Sequence, residues 1–391
     1  MINIINYKKM GRYYYFLFLF LLLISCNSIE QSIEEKYARK AASGVFEAIW
    51  NELDSNYVFF KEKRYDWDAY RNKYLKLIEK AHNDTACISL IDSLLYEMQE
   101  VSLLISVGGL PYRYCSYNDT IRMIDYKRTQ INRNETYVWN DSIEDEPFDQ
   151  FIVRDLYRKS DTCRLLPYLY CVPANRGYTT AKWLYKRERI QYLLEKRNVP
   201  ELQGIILDLR ANYNELIPEM MLEILRYFYP QGENIICYQS RRVVPENRYQ
   251  LSTPEPYVLD GYGIFAFKPI IVLFDKRTSN EANVMSYIMT SRDKTVTVSA
   301  EQTRGGGGLR ERKILEGEIN SAIYYPAIHL NNEKYETFEK SLEPMVKISY
   351  SFDVEQEYDA NFKYGIILRF TDSYISTALA CIDSINSGQK K

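Results

Sequence analysis

The sequence has 391 residues, 46% of them hydrophobic, which is enough for a small domain followed by a larger one. Lysine and arginine total 50 against 52 acidic residues, so no excess of positive charge favours phosphates and nucleic-acid binding is excluded. The histidines, His82 and His329, lie far apart and outside any metal motif, and no two cysteines have zinc-site spacing. We therefore expect neither a metal nor another cofactor.

The N-terminus has the three parts of a lipoprotein signal peptide. A basic region with Lys8, Lys9 and Arg12 precedes the apolar residues 13–24, and a Leu-Ile-Ser-Cys sequence then ends at Cys26. This apolar helix would be about 18 Å long, whereas a bilayer core measures about 30 Å. We predict that residues 1–26 are a signal peptide, that the Cys26 thiol is lipidated, and that the protein is anchored in the cell envelope. A plain cleaved signal and an anchor helix are the alternatives.

Six cysteines remain after lipidation of Cys26, and export would place them where disulfides can form. The sequence does not specify how they would pair. They are Cys87, Cys115, Cys163, Cys171, Cys237 and Cys381.

Apolar residues from about Ser32 to Glu100 recur at helical spacing, and no glycine lies between Gly44 and Gly108. This pattern predicts a helical N-terminal domain over residues 27–110. Residues 111–165 are polar and irregular, which predicts a connecting region with short strands.

Residues 166–391 alternate between predicted strands and helices. The predicted strands are Gly204–Leu209, Ile235–Tyr238, Pro269–Phe274 and Thr295–Ser299, and the predicted helices are Glu215–Tyr229 and Asn280–Thr290. This succession indicates a largely parallel sheet, and such sheets place their sites at the carboxyl ends of the strands.

Three of these strand ends carry a recognisable pattern: Gly204–Glu215 (GIILDLRANYNE), Pro269–Asn283 (PIIVLFDKRTSNEAN) and Thr303–Gly308 (TRGGGG). They resemble, in order, the Asp-Leu-Arg strand, the strand before the nucleophile and the threonine-glycine loop of tail-specific, or C-terminal-processing, serine peptidases. Phe46–Tyr74 resembles the helical N-terminal region of the tricorn-core-like branch found in lipoproteins. The resemblance implies an α+β fold, with a helical N-terminal domain and a β/α core sheet of the ClpP/crotonase-like type.

Members of that family use a serine at a strand-to-helix turn as the nucleophile. An alignment without gaps places Asn280 at this position and matches Asn283 with an asparagine of the lipoprotein branch. Because a carboxamide cannot be deprotonated to an alkoxide, this register predicts no acyl-enzyme. Ser279 would become the nucleophile only after a slip of one residue that loses the Asn283 match, and we interpret Ser279 as a helix N-cap.

The general base of the family is also missing from this sequence. One branch uses a lysine in the glycine loop, where Gly306 stands here. The tricorn-like branch uses a histidine, and the alignment of Met98–Ile105 places Ser102 there. Neither residue can act as a base near neutral pH. We interpret His82 and His329 as surface or packing residues.

The turn that should hold the oxyanion is altered as well. Family glycines after Arg210 are replaced by Ala211, Tyr213 and Asn214, and only Asn212 is kept. The residues that the resemblance assigns to the substrate groove and oxyanion loop are Arg210, Asn212, Asn283, Thr303, Gly305 and Gly306.

These observations predict a lipid-anchored tail-specific peptidase homologue that is catalytically inactive and binds a peptide or protein C-terminus in the former groove. The first alternative is an active serine endopeptidase that uses Ser279. The second is a carbohydrate-binding lipoprotein, which only the abundant aromatic residues favour.

Overall fold

The structure is a computed structural model that describes residues 44–81, 84–107, 110–113, 137–140, 151–159, 165–173, 191–192, 194–210, 212, 216, 218–243, 247–315, 321–349, 352–357 and 367–388. These residues divide into two compact units. The smaller unit lies within Met1–Asp54, Arg64–Tyr114 and Arg312–Ile323. The larger unit lies within Ser55–Lys63, Cys115–Glu311 and Tyr324–Lys391.

The described helices, in chain order, are α1 (44–56), α2 (Phe60–Lys63), α3 (Trp67–Ile78), α4 (Asp84–Met98), α5 (within 191–197), α6 (Pro218–Phe228), α7 (Glu281–Thr290) and α8 (Ser373–Asn386). The described strands are β1 (Leu104–Val107), β2 (Leu110–Arg113), β3 (Tyr137–Asn140), β4 (Phe151–Lys159), β5 (Leu165–Pro173), β6 (Ile205–Asp208), β7 (Gly232–Ser240), β8 (Glu255–Gly261), β9 (Ile270–Leu273), β10 (Thr295–Ser299), β11 (Gly308–Leu315), β12 (Ser321–Asn331), β13 (Val346–Lys347), β14 (Phe352–Glu357) and β15 (Ile367–Asp372).

The smaller unit is built around α1, α3 and α4. Its core contains the stacked rings of Trp50 and Trp67, whose centroids lie 3.6 Å apart. Asp66 begins α3 as an N-cap, because its side chain accepts a hydrogen bond from the Ala69 N–H at 3.3 Å. The antiparallel hairpin of β1 and β2 follows α4. The helical character predicted for this part of the chain is confirmed.

The larger unit contains a sheet in which seven described strands follow the order β13-β10-β9-β6-β5-β4-β3. Neighbouring strands from β13 to β5 are parallel, and β4 and β3 extend one edge in antiparallel pairing. The predicted α+β class with a mainly parallel core sheet is confirmed. The strand β4 belongs to this sheet, although the sequence places it in the connecting region 111–165.

The central strands β6 and β9 are buried on both faces, as their continuous apolar sequences indicate. In β6, Ile205 and Leu207 pack in the core that contains α6 and α7, whereas Ile206 packs in the core that contains α8. Burial of one such side chain contributes about 1.5–3 kcal/mol to folding. The two cores fix β6 and β9 side by side. The loops that follow these strands therefore lie next to each other.

The strand β7 corrects one part of the sequence-based reading. Ile235–Tyr238 does form a strand, but it lies outside the parallel sheet. It pairs antiparallel with β8, from Gly232↔Gly261, and with β12, from His329↔Ser240. Glu233 and Ile235 of β7 are exposed, and a strand with one solvent-facing side fits an antiparallel sheet better than a doubly covered parallel one.

Among the described cysteines with defined surroundings, Cys237 is a buried free thiol, and Cys171 and Cys381 are buried as well. Burial raises the pKa of Cys237 to about 12, so this thiol is uncharged and unreactive near neutral pH. Along the described part of the chain, no helix has the length and apolar character needed to cross a bilayer. Cys26, Cys115, Cys163 and His82 lie outside the described residues.

Candidate functional site

Three loops meet at the carboxyl ends of β6, β9 and β10. The Leu209 N–H donates to the Leu273 carbonyl at 2.8 Å, and the Ser279 N–H donates to the Asn212 carbonyl at 3.1 Å. The loop after β10 joins them, because the Asn280 N–H donates to the Gly305 carbonyl at 3.0 Å. The strand ends singled out from the sequence therefore form one buried cluster.

Asn280 occupies a strained turn at the start of α7. It is the N-cap of that helix, with φ 54° and ψ −124°, and its side chain makes no capping hydrogen bond. A residue other than glycine pays about 1–3 kcal/mol for such a conformation, which is found where a nucleophile is presented at a strand-to-helix turn. The structure thus gives Asn280 the backbone shape of a nucleophile position.

The expectation that Ser279 is the helix N-cap is wrong, because Asn280 holds that position. Ser279 instead forms an isolated parallel bridge with Gly305. Its side chain is buried, at 1% exposure. Among the described residues, the Ser279 hydroxyl has one hydrogen-bond partner, the Asn280 Nδ2 at 3.5 Å. An amide nitrogen cannot accept the hydroxyl proton, so no base contacts Ser279 in this part of the structure.

Asn283 and Thr303 fasten the glycine loop to α7. The Asn283 Nδ2 donates to the carbonyls of Gly306 at 2.9 Å and Phe338 at 2.8 Å, and its Oδ1 accepts from the Thr303 hydroxyl. The Thr303 Oγ1 also accepts from the Leu342 N–H at 2.7 Å. Both side chains are buried, so each holds the loop in place within the fold.

The loop at Gly305–Gly307, here called the glycine loop, requires glycine for two physical reasons. Gly305 and Gly306 have φ of 93° and 92°, which disfavours any residue with a Cβ. At Gly307 a Cβ would lie only 2.0 Å from the Glu339 nitrogen. The Glu339 side chain accepts from the Gly307 N–H at 2.9 Å and pairs with Lys63 at 2.6 Å.

Arg210 has a structural role. Its guanidinium donates to Asp208 through Nε at 2.9 Å and Nη2 at 2.6 Å, and it lies over the ring of Tyr374 with 4.6 Å to the centroid. Burial raises the pKa of the Tyr374 phenol, so this hydroxyl stays neutral near pH 7. The cluster fixes the end of β6 against α8.

The sequence analysis missed a second Asp-x-Arg clamp. The Arg277 Nη2 donates to Asp275 at 2.7 Å, which repeats after β9 the pairing seen after β6. Thr278 was missed too: its Oγ1 donates to the Leu209 carbonyl at 2.9 Å and accepts from the Asp275 N–H at 3.0 Å. The repeated Asp-x-Arg spacing was a usable signal for the clamp, whereas nothing local marked Thr278.

The buried ion pair of Glu281 and Arg310 was also missed. The Arg310 guanidinium donates to Glu281 through Nε at 2.7 Å and, through Nη2, to the second carboxylate oxygen. It also donates to the Leu216 carbonyl at 3.1 Å. Because Glu281 directly follows Asn280, this pair holds the first turn of α7. The partners lie too far apart in sequence for a local pattern to reveal them.

Ser102 belongs to the smaller unit. It is buried, its N–H donates to the Glu100 carboxylate at 2.8 Å, and its hydroxyl has no hydrogen-bond partner among the described residues. His329 packs against Phe59 and contacts Glu62 through Nε2 at 3.0 Å. Burial acts to raise the pKa of Glu62, but the hydrogen bond and charge of His329 bring that pKa below its usual value. His329 is thus a packing residue and not a surface one.

The chemistry open to the cluster follows from these contacts. Acyl transfer needs a nucleophile, a base and amide donors aimed at the developing oxyanion. Here the strained turn carries a carboxamide in place of a nucleophile, and no base contacts Ser279 among the described residues. Ala211, Tyr213 and Asn214, which replace family glycines, lie outside the described residues.

Comparison with known families agrees with this geometry. Residues 31–95 match the profile of the Tricorn protease C1 domain, and residues 181–348 match that of Peptidase family S41. These matches identify a Peptidase family S41 region over residues 181–348, with a Tricorn protease C1 region ahead of it over residues 31–95.

Solved structures share the fold at low sequence identity. A proposed peptidase from Parabacteroides merdae is 16% identical with a TM-score of 0.56, and the match covers 90% of this chain and 99% of the other. A CPAF mutant is 9% identical with a TM-score of 0.55, covering 81% and 94%. Mature CPAF complexed with lactacystin has a TM-score of 0.51 at 9% identity, covering 80% and 94%. No curated protein sequence matches the chain.

The strain at Asn280 leads to a test of the turn itself. We expect Asn280→Gly to raise the free energy of unfolding by about 1 kcal/mol, because glycine adopts this φ without a Cβ clash. Asn280→Ala is the matched control, since it removes the same side chain and keeps the strain. Urea denaturation of the three proteins gives the comparison. Equal stability of the glycine and alanine variants would show that the turn is unstrained.

Proposed function

We propose that this protein is a catalytically inactive tail-specific peptidase homologue that is lipid-anchored in the cell envelope and binds a peptide or a protein C-terminus. The observation that carries the proposal is Asn280 in the strained turn that begins α7. The scaffold for a nucleophile is kept there, while the side chain on it cannot form an acyl-enzyme.

The retained contacts favour a role in binding. Thr278, Asn283 and Thr303 are buried and hydrogen-bonded across the three loops, so the cluster is ordered although its chemistry is absent. In α/β sheets, ligands bind at the carboxyl ends of the strands, where these loops lie. A polypeptide ligand fits this family best, and the solved structures with the same fold include peptidases.

The lipid anchor is proposed from the sequence alone. Cys26 follows a basic segment and a short apolar one in the arrangement of a lipoprotein signal. Mass spectrometry of the mature N-terminus tests it: an acylated Cys26 is expected, and a free amino terminus at Asn27 or an intact leader would contradict it.

Turnover and binding are measured together on the full-length protein in detergent, with fluorescein-labelled, unfolded casein as the probe. We expect a rise in fluorescence anisotropy without any release of fragments. Cleavage that Ser279→Ala abolishes would establish the alternative, an active endopeptidase. The absence of binding would remove the peptide-binding role and leave the inactivity standing.

We further expect Asn280→Ser to remain inactive on the same casein, at a rate indistinguishable from the background. The substitution supplies a hydroxyl on the strained turn, but Gly306 and Ser102 stand where the family places its bases, so the proton has no acceptor. Asn280→Ala is the control for contaminating proteases. Casein cleavage by the serine variant alone would reveal a general base outside the positions of Gly306 and Ser102.

A further inference from the structure

The sheet of β7 and β8 has an outer face that the packing of the larger unit leaves exposed. The cross-strand partners Ile235 and Val258 are 58% and 48% exposed. Pro256 is exposed as well and lies opposite Tyr238. Opposed residues of an antiparallel pair point to the same side of the sheet, so these side chains form one apolar strip.

The strip continues onto the turn after β12. The Tyr335 ring lies 5.4 Å from that of Tyr238 and is 60% exposed. Tyr335 has φ 62°, a backbone conformation that is uncommon for residues other than glycine and asparagine. The turn holds this conformation because Asn332 accepts from the N–H groups of Lys334 and Glu336 at 2.9 Å each. An aromatic side chain is thus fixed in solvent beside the strip.

The other end of the strip is acidic. Glu233 and Asp260 are both exposed and lie directly opposite each other on β7 and β8. Like charges in opposed positions destabilise a sheet, so folding alone does not favour this pair. Arg226 on α6 interacts with this charge: its hydrogen bond to the Tyr262 hydroxyl at 3.2 Å raises its pKa most, Asp260 contributes to the same rise, and its guanidinium also pairs with Glu223.

The strand β8 also ends its sheet. Among the described strands it pairs with β7 alone, so alternate N–H and C=O groups on the other side of β8 have no partner strand in this part of the structure. Such an edge is a template for an added strand from a partner. Charged side chains, proline and β-bulges commonly protect natural edges; β8 has Pro256 and a register shift in its pairing with β7, whereas Val258 is neither charged nor proline.

We propose that β8 and the outer face of β7 and β8 bind an extended polypeptide segment that carries apolar side chains and a lysine or arginine. The segment adds to the edge of β8, its apolar side chains cover Ile235, Val258 and Tyr335, and its cation lies between Glu233 and Asp260. This surface belongs to a different sheet from the loops after β6, β9 and β10. The proposal therefore goes beyond the proposed function and does not rest on it.

The test is selection of a linear twelve-residue random peptide library on the full-length protein in detergent. Val258→Lys serves for counter-selection, because an exposed lysine protects the edge without removing a buried side chain. We expect enrichment of peptides with apolar residues at alternate positions and at least one lysine or arginine. Binding of an enriched peptide should fall more than tenfold in Val258→Lys and about fivefold in Asp260→Asn.

Two results would overturn the proposal: no enrichment over the Val258→Lys protein, or enriched peptides that lack a basic residue and bind Asp260→Asn unchanged. Sedimentation velocity of the same samples examines a second copy as the occupant. Self-association that Val258→Lys abolishes would also overturn it, since the face would then be a homodimer contact. Circular dichroism of both variants verifies that they fold. If Val258→Lys does not fold, Asp260→Asn alone decides the test.

Discussion

Replacing Arg310 with methionine is expected to lower the free energy of unfolding by about 3–5 kcal/mol. The Glu281 side chain is 0% exposed and that of Arg310 5%, so the substitution leaves a carboxylate buried without its cation. The Leu216 carbonyl loses a donor at the same time. Urea denaturation followed by circular dichroism measures the change.

Two controls separate the buried charge from other effects of losing an arginine. Arg241→Met breaks an ion pair with Glu311 whose side chains are 53% and 48% exposed, and it should cost less than about 1 kcal/mol. The double variant Glu281→Leu with Arg310→Met should recover much of the lost stability, because no charge is then left unpaired. If Arg310→Met and Arg241→Met lowered the free energy of unfolding equally, the Glu281 carboxylate would be accessible to water.

The variant Gly307→Ala is expected to lower the free energy of unfolding by about 3 kcal/mol. The added Cβ would lie 2.0 Å from the Glu339 nitrogen and 2.1 Å from the Phe338 carbonyl carbon, both of them backbone atoms. That backbone cannot move aside freely, because Asn283 binds the Phe338 carbonyl and the Gly306 N–H binds the Glu339 carbonyl.

Gly44→Ala is the matched control for this second prediction. Gly44 lies in α1 with nothing within 4 Å of an added Cβ, and alanine favours a helix over glycine by about 1 kcal/mol. We therefore expect Gly44→Ala to be neutral or stabilising in the same denaturation experiment. A small effect of Gly307→Ala would mean that the glycine loop has room to shift, and the close approach described above would then be wrong.

The main core of the fold was predictable because β6 and β9 are short apolar runs buried on both faces, a pattern that indicates central parallel strands. The helix α7 and the strand β10 were found within one residue for similar reasons. The sheet to which β7 belongs was not predictable, since a strand of mixed exposure says nothing about its neighbours. Its partners β8 and β12 are set by long-range packing.

In the candidate site, only the features set by residues close together in the sequence were predictable. The alignment identified Asn280 as the residue at the turn, but its φ of 54° depends on the Gly305 carbonyl, which is distant in the chain. The same holds for Glu281, whose partner Arg310 lies on β11. The resemblance points to Asn283 and Thr303, but their hydrogen bonds to the glycine loop and its neighbours become evident only in the structure.

At the turn before α7, backbone strain, buried polar contacts and a buried ion pair surround the carboxamide side chain of Asn280. Under the proposal of an inactive homologue, these ordered loops would serve binding and not catalysis.

Covalent labelling by a fluorophosphonate is the most direct measurement of whether the turn can act as a nucleophile. The folded full-length protein is incubated with the probe, digested and analysed by mass spectrometry, with heat-denatured protein as the blank. If the turn cannot act as a nucleophile, no adduct is expected on Ser279 or on any other serine above that blank. An adduct on Ser279 that appears only in the folded protein would contradict the proposed inactivity.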